Sequence, residues 1–142
     1  MTYYFDMDGT LADLYGVENW LPLLRAEDTK PYEIAKPLWN MSQLARLLHK
    51  VQKQGNQIGI ISWGSKTGTN EFNLKTAIAK IEWLERHLPS VEWDDIIITA
   101  YGVPKQNYAT DEDILFDDND SIRADWGKNA YLPEEIMNIL RG

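Results

Sequence analysis

The sequence predicts an α/β fold, Rossmann-like, with a central parallel sheet between two layers of helices. Two observations carry this reading. Short apolar runs recur along the chain, at Tyr3-Tyr4-Phe5, Ile58-Gly59-Ile60-Ile61, Ile96-Ile97-Ile98-Thr99 and Ile114-Leu115-Phe116, and longer helical patterns separate them. Strands that are apolar on both faces and alternate with helices belong to parallel sheets, whose crossovers cover both sides.

Each element follows in order. Tyr3-Tyr4-Phe5 reads as a strand running straight into Asp6. Residues 41–54 bring Leu44, Leu47, Leu48 and Val51 onto one helical face, and Gly55-Asn56 suits a left-handed cap at its end. Ile58–Ile61 is then a buried strand, with Ser62-Trp63-Gly64 as the loop behind it. A second helix is expected over about 71–88, with Leu74, Ile78, Ile81, Leu84 and Leu88 on its inner side and Pro89 as its stop. Ile96–Thr99 and Ile114–Phe116 are further strands, the latter entering Asp117-Asp118. Asn129-Ala130-Tyr131 is expected as a short final strand, and Pro133-Glu134-Glu135 opens a C-terminal helix with proline and acids in its first turn. Residues 14–40 break the rhythm with Pro22, Pro31 and Pro37 and no clean period. They read as a short cap-like insertion in a single domain spanning 1–142.

The 142-residue length fits one domain, and 44% hydrophobic residues with 25% charged ones are ordinary globular values. The absence of cysteine excludes disulfides, thiolate metal sites and a cysteine nucleophile. A net charge of −8 opposes non-specific nucleic-acid binding, which needs clustered cations to displace counterions. It does not oppose a small phosphorylated ligand, because a divalent cation reverses the sign of an acidic cluster. No window approaches the ~20 apolar residues of a membrane span, and the N-terminus lacks the basic start of a signal peptide. A cytoplasmic protein is the expectation.

The chemistry concentrates in Asp6-Met7-Asp8-Gly9-Thr10-Leu11. Two acids spaced i, i+2 directly after a strand lie at its C-terminal end, where open α/β sheets bind ligands. Asp117-Asp118 repeats the arrangement after a later strand, and parallel topology brings both strand ends to one edge. Carboxylates about 4 Å apart repel by about 4 kcal/mol at an effective dielectric of 20, so either some are protonated or a cation sits among them. Oxygen ligands favour a hard ion, and Mg²⁺ is the usual one where a phosphate completes the shell.

Asp6-Met7-Asp8-Gly9-Thr10-Leu11 resembles the first motif of the haloacid dehalogenase superfamily of phosphohydrolases. The remaining motifs occur in the expected order, as Ser62 closing its strand, Lys105 in Gly102-Val103-Pro104-Lys105, and Asp117-Asp118. The resemblance implies a three-layer sandwich with a small or absent cap and a phosphomonoesterase. In it Asp6 is the nucleophile that becomes an aspartyl phosphate, and Asp8 is the acid that protonates the leaving oxygen and then activates water. It implies Mg²⁺ held by Asp6, Asp8 through its backbone carbonyl, and Asp118, with Asp117 direct or through water. Ser62 would hold phosphoryl oxygens and Lys105 neutralise them, with Lys80 the second candidate. Lys66 and Lys128 read as surface charge, and Asp120 and Asp125 as a helix start or outer support. His49 and His87 lie in helical patterns without a nucleophile partner. Gly59–Thr67 only superficially suggests a P-loop, since an extra Ser spoils its spacing.

The leaving group is less defined. Lys80-Ile81-Glu82-Trp83-Leu84-Glu85-Arg86-His87, and Met7 with the Thr10-Leu11-Ala12-Asp13 continuation, look like the 5′(3′)-deoxyribonucleotidase branch. Tyr15, Trp20, Tyr32, Trp39 and Trp63 offer faces on which a base stacks. The insertion at 14–40 is shorter than the cap of those enzymes, so the site is either more open or completed by a second subunit. The leading expectation is a Mg²⁺-dependent phosphatase of nucleoside monophosphates. The alternatives are a phosphatase for a sugar phosphate or a polynucleotide end, and a non-catalytic binding domain, which the presence of both Asp6 and Asp8 disfavours.

Overall fold

A computed structural model describes residues Met1–Gly142. The chain runs from β1 (Thr2–Phe5) into β2 (Ala12–Asp13), two short helices α1 (Trp20–Arg25) and α2 (Lys30–Ile34), and β3 (Lys36–Pro37). There follow α3 (Met41–Lys53), β4 (Gln57–Trp63), α4 (Asn70–His87), β5 (Asp95–Thr99), β6 (Ile114–Phe116), α5 (Asp120–Trp126), β7 (Ala130–Tyr131) and α6 (Ile136–Arg141). The strands form a parallel five-stranded sheet in the order β5-β4-β1-β6-β7. The chain builds outward from β1 to β5 and then crosses back to β6 on the other side of β1. That reversal leaves a crevice beyond the ends of β1 and β6, where α/β sheets place ligands.

Alternation along β1 feeds two layers. Tyr3 and Phe5 join Ile58, Ile60 and Phe116 under Leu44, Leu48 and Val51 of α3 and Ile136 and Leu140 of α6. On the opposite face Tyr4, Ile61 and Leu115 meet Ile122 and Trp126 of α5. The α/β sandwich expected from the sequence is the one observed. The helix α3 begins at Asn40, whose side chain accepts from the Gln43 N–H at 3.0 Å, a cap that satisfies an otherwise unpaired donor. Gly55, with φ of 92°, takes the left-handed conformation that ends the helix. Pro133–Glu135 forms one 3-10 turn that leads into α6, so the C-terminal helix proper starts later than its proline suggests.

The segment 14–40 folds back on the sheet body. β2 and β3 pair antiparallel at its base, Ala12 opposite Pro37, and Leu14, Leu24 and Tyr32 pack on Phe72 and Ala79 of α4. This corrects the expected inner face of α4 at Leu74 and Ile78, while Leu84 and Leu88 are buried as expected. Leu74 is 64% exposed and Ile78 49%, whereas Phe72, Thr76, Ala79, Lys80 and Trp83 are buried. The inward face of α4 is occupied by the insertion and by a buried lysine, so its polar residues hide it from a reading of apolar period. No helix is long and apolar enough to cross a membrane.

Leu74→Ala is therefore expected to change stability by no more than about 0.5 kcal/mol. Leu84→Ala, at a buried position of the same helix, should cost about 2–5 kcal/mol. Urea unfolding of both variants checks this, and a loss at Leu74 as large as that at Leu84 would restore the apolar-stripe assignment.

Candidate active site

The site grows from the ends of two neighbouring strands. The Asp6 N–H extends the β1 ladder by donating to the Phe116 carbonyl at 2.9 Å, and the Asp117 N–H donates to the Tyr131 carbonyl at 3.1 Å. Both side chains thereby emerge at one sheet edge. Beyond Asp6 the chain turns tightly, with the N–H groups of Thr10, Leu11 and Ala12 all directed at the Met7 carbonyl. Gly9 makes the turn with φ of 77°, and a Cβ there would overlap the Asp118 carboxylate. A glycine is required both by the backbone and by that close approach.

Asp6, Asp117 and Asp118 each place a carboxylate oxygen within 4.8 Å of the others. Lys105 Nζ bridges two of them, at 3.0 Å from Asp6 Oδ1 and 2.7 Å from Asp117 Oδ2. Asp117 Oδ1 accepts from the Asn119 N–H at 2.9 Å, and Asp6 Oδ2 from Thr10 Oγ1 at 3.2 Å. No lysine or arginine pairs with Asp118, which stands exposed at the rim. Burial first and repulsion from Asp6 second push Asp117 up to about 6, against the pull of Lys105. Burial and Asp6 likewise push Asp118 up to about 7, although solvent at the rim screens part of that push. Burial lowers the Lys105 pKa, but Asp6 and Asp117 outweigh it, and the net shift is upward.

Asp8 takes a different direction. Its carboxylate lies outside the cluster of three and accepts from Lys80 Nζ at 3.0 Å through Oδ2. Lys80 Nζ also donates to Ser62 Oγ at 2.7 Å and to the Trp63 carbonyl at 2.8 Å. Burial raises the Asp8 carboxyl above the ordinary carboxylate range; Lys80 pulls it back and Asp6 adds to the lift. The Asp8 carbonyl oxygen accepts no hydrogen bond from the protein. Of the metal ligands expected from the sequence, Asp8 thus has only its backbone oxygen to offer, as its side chain is engaged elsewhere.

These residues fit a hard divalent ion. The donors are all oxygens, the one bridging lysine reaches only two of the three carboxylates, and burial with repulsion from Asp6 raises Asp117 to about 6 and Asp118 to about 7. Asp6 and Asp117 each already use both oxygens within the protein, so Asp118, which has no lysine or arginine partner, is the carboxylate most open to an ion.

A cleft of about 700 Å³ opens over this edge. Tyr15, Trp20 and Tyr32 of the insertion wall one side, and Trp63 and Tyr101 the other. The Tyr15 and Trp20 rings meet edge to face at 4.9 Å, and Trp63 and Tyr101 lie 4.9 Å apart. Burial, then the nearby acids, pushes the Tyr15 and Tyr32 hydroxyls above their ordinary range, which keeps them as neutral donors. Trp39 is not in the cleft; its Nε1–H donates to the Thr10 carbonyl and its ring packs on the core. Lys66 lines the rim with its ammonium 5.8 Å from the Tyr101 ring centre. His49 meets the Ser90 carbonyl and His87 stacks on Trp83, both away from the acids. Asp120 lines the cleft and pairs with Arg123 in the first turn of α5. Sequence reasoning missed Thr10 and Tyr101. Thr10 had a signal in its place beside the acids, whereas Tyr101 sits in a loop with none.

No protein-family model matches the chain, and no curated protein matches it in sequence. Among solved structures it is similar to D,D-heptose 1,7-bisphosphate phosphatase from Burkholderia thailandensis, with a TM-score of 0.58 and 9% identity over 99% of this chain and 96% of that one. A protein from Vibrio cholerae aligns over 99% and 98% of the two chains with 18% identity and a TM-score of 0.47. The likeness is one of fold.

A pH-dependent response to cations follows from the carboxylates. Their raised folded-state pKa values contribute stability below about pH 4 that is lost as pH climbs through about 6 and 7. A cation bound there would take over from the lost protons, so Mg²⁺ should raise the melting temperature more at pH 8 than at pH 5, and Asp118→Asn should remove most of the difference. Scanning fluorimetry checks this, and an equal shift at both pH values would contradict it.

Proposed function

We propose that the protein is a Mg²⁺-dependent phosphomonoester hydrolase of the haloacid dehalogenase type, working through an aspartyl phosphate on Asp6, with nucleoside monophosphates as substrates. The observation that carries the reading is the meeting of Asp6, Asp117, Asp118 and Lys105 at the ends of β1 and β6, with Asp8 beside them on Lys80. Mg²⁺ would be held by the Asp6 and Asp118 carboxylates and the Asp8 carbonyl, with Asp117 behind them, and would supply charge neutralisation at the phosphoryl oxygens.

The chain's own residues do the rest. The Asp6 carboxylate attacks phosphorus in line, forming an O–P bond as the ester P–O bond breaks. Asp8 gives its proton to the departing oxygen, and its raised pKa favours the protonated form this needs. Water then attacks phosphorus, its proton passes to Asp8, and Asp6 is freed, so ester and water become alcohol and phosphate. Lys105 Nζ has two acceptors in the protein and one N–H left for a phosphoryl oxygen. Ser62 Oγ accepts from Lys80, which leaves its O–H free to donate to the same group. Thr10 steadies Asp6 from the other side.

The aromatic walls support the nucleotide, since a base stacks on rings such as Trp63 and Trp20 while its phosphate reaches Asp6. The insertion at 14–40 acts as a small cap that supplies one wall. A sugar phosphate is the second reading, favoured by the fold shared with a heptose bisphosphate phosphatase. A polynucleotide end is opposed by the net charge of −8. A cytoplasmic setting belongs to the same proposal.

Phosphate release measured with Mg²⁺ over nucleoside monophosphates, sugar phosphates and an aryl phosphate tests the reading. Nucleotides should lead, and Asp6→Asn should lower the rate on the order of 10³-fold or more. Activity confined to sugar phosphates would reject the nucleotide. Equal inactivity of wild type and Asp6→Asn across the panel would reject the phosphatase.

A further inference from the structure

The site contains two buried lysines, and counting donors separates their tasks. A lysine ammonium has three N–H groups. Lys80, 1% exposed, has a protein acceptor for all three, namely Asp8 Oδ2, Ser62 Oγ and the Trp63 carbonyl. Lys105 has two acceptors. All three Lys80 donors are engaged, so Lys80 cannot turn toward a phosphate without abandoning a partner, whereas Lys105 has one donor to spare. Lys80 is also the one side chain that hydrogen-bonds the Asp8 carboxyl, whose backbone lies on the tight turn at Gly9.

We propose that Lys80 is a positioning residue for the leaving-group acid, clamping Asp8 Oδ2 so that Oδ1, which has no protein partner and belongs to a residue lining the cleft, is the oxygen that passes the proton. The inference rests on the phosphatase reading and deepens it. The clamp has a fixed frame. Ser62 and Trp63 hold the ammonium at the end of β4, α4 carries its stem, and the Tyr32 ring of the insertion lies 4.9 Å away on a cation–π contact. During phosphoryl transfer the Oδ1 proton moves to the ester oxygen as its bond to phosphorus breaks and the Asp6 bond forms. Lys80 gives up no proton and touches no substrate atom.

A clamp on the acid matters in proportion to the leaving group's need for a proton. An alkoxide needs one, whereas 4-nitrophenolate leaves almost unaided. The test compares kcat/KM, which reports the steps through departure of the leaving group, for 4-nitrophenyl phosphate and for an alkyl phosphate (a nucleoside 5′-monophosphate or, failing that, a hexose 6-phosphate). Lys80→Met should lower kcat/KM for the alkyl ester by about 100-fold and for the aryl ester by less than about threefold. Asp8→Asn should show the same selectivity, and the double variant should be no worse than Asp8→Asn alone. Lys105→Met should depress both esters alike. If Lys80→Met melts too low to assay, Lys80→Gln, which keeps a donor, carries the same comparison. Equal losses on both esters, or losses that multiply in the double variant, would overturn the clamp while leaving the phosphatase intact. A wild type inactive on both esters would overturn the phosphatase reading and the clamp with it.

Discussion

Crowded negative charge at the mouth of the β1–β6 crevice is the constraint from which the rest of the site follows. Two carboxylates about 4 Å apart repel by about 4 kcal/mol at an effective dielectric of 20, and Asp6, Asp117 and Asp118 stand nearly that close. The protein answers with one lysine bridging Asp6 and Asp117 and a second drawing Asp8 aside. What remains uncompensated is an all-oxygen gap beside Asp118, suited to a hard ion. The division sets two environments side by side, which the proposed reading assigns to phosphorus and metal in one case and to a proton in the other.

The fold supplies this proximity with little machinery. Parallel pairing places the ends of β1 and β6 in register, Phe5 opposite Phe116, so the residues that follow each strand emerge side by side. Stacked rings beneath them, Phe5 on Phe116 at 5.1 Å between centres, anchor both strands in the core just below the acids. Lys105 arrives from a 3-10 turn and Lys80 from the long helix α4, so both cations rest on elements packed against the sheet.

The sequence revealed the strands, α3 and the acidic pairs because each leaves a local mark: an apolar run, a heptad-like spacing, an acid directly after a strand. Ser62 and Lys105 are single residues and became legible only through their order along the chain; the structure brings both to the acids. The inward face of α4 was misread because Lys80 and Thr76 occupy positions that apolar periodicity assigns to Leu74 and Ile78. Tyr101 and the parting of Asp8 from the other carboxylates depend on tertiary approach, which no spacing encodes. Trp39 shows the converse, an aromatic in the right segment that the core and the Thr10 carbonyl claim first.

The docking of the insertion on α4 couples two tasks usually kept apart. Leu14, Leu24 and Tyr32 rest on Phe72 and Ala79, and the next residue of the same helix after Ala79 is the lysine that grips Asp8. On the proposed phosphatase reading, the roof over the substrate and the strut behind the acid are thus one mechanical piece. Remodelling that roof to admit a bulkier guest would then tilt the strut, so selectivity and turnover would drift together under mutation.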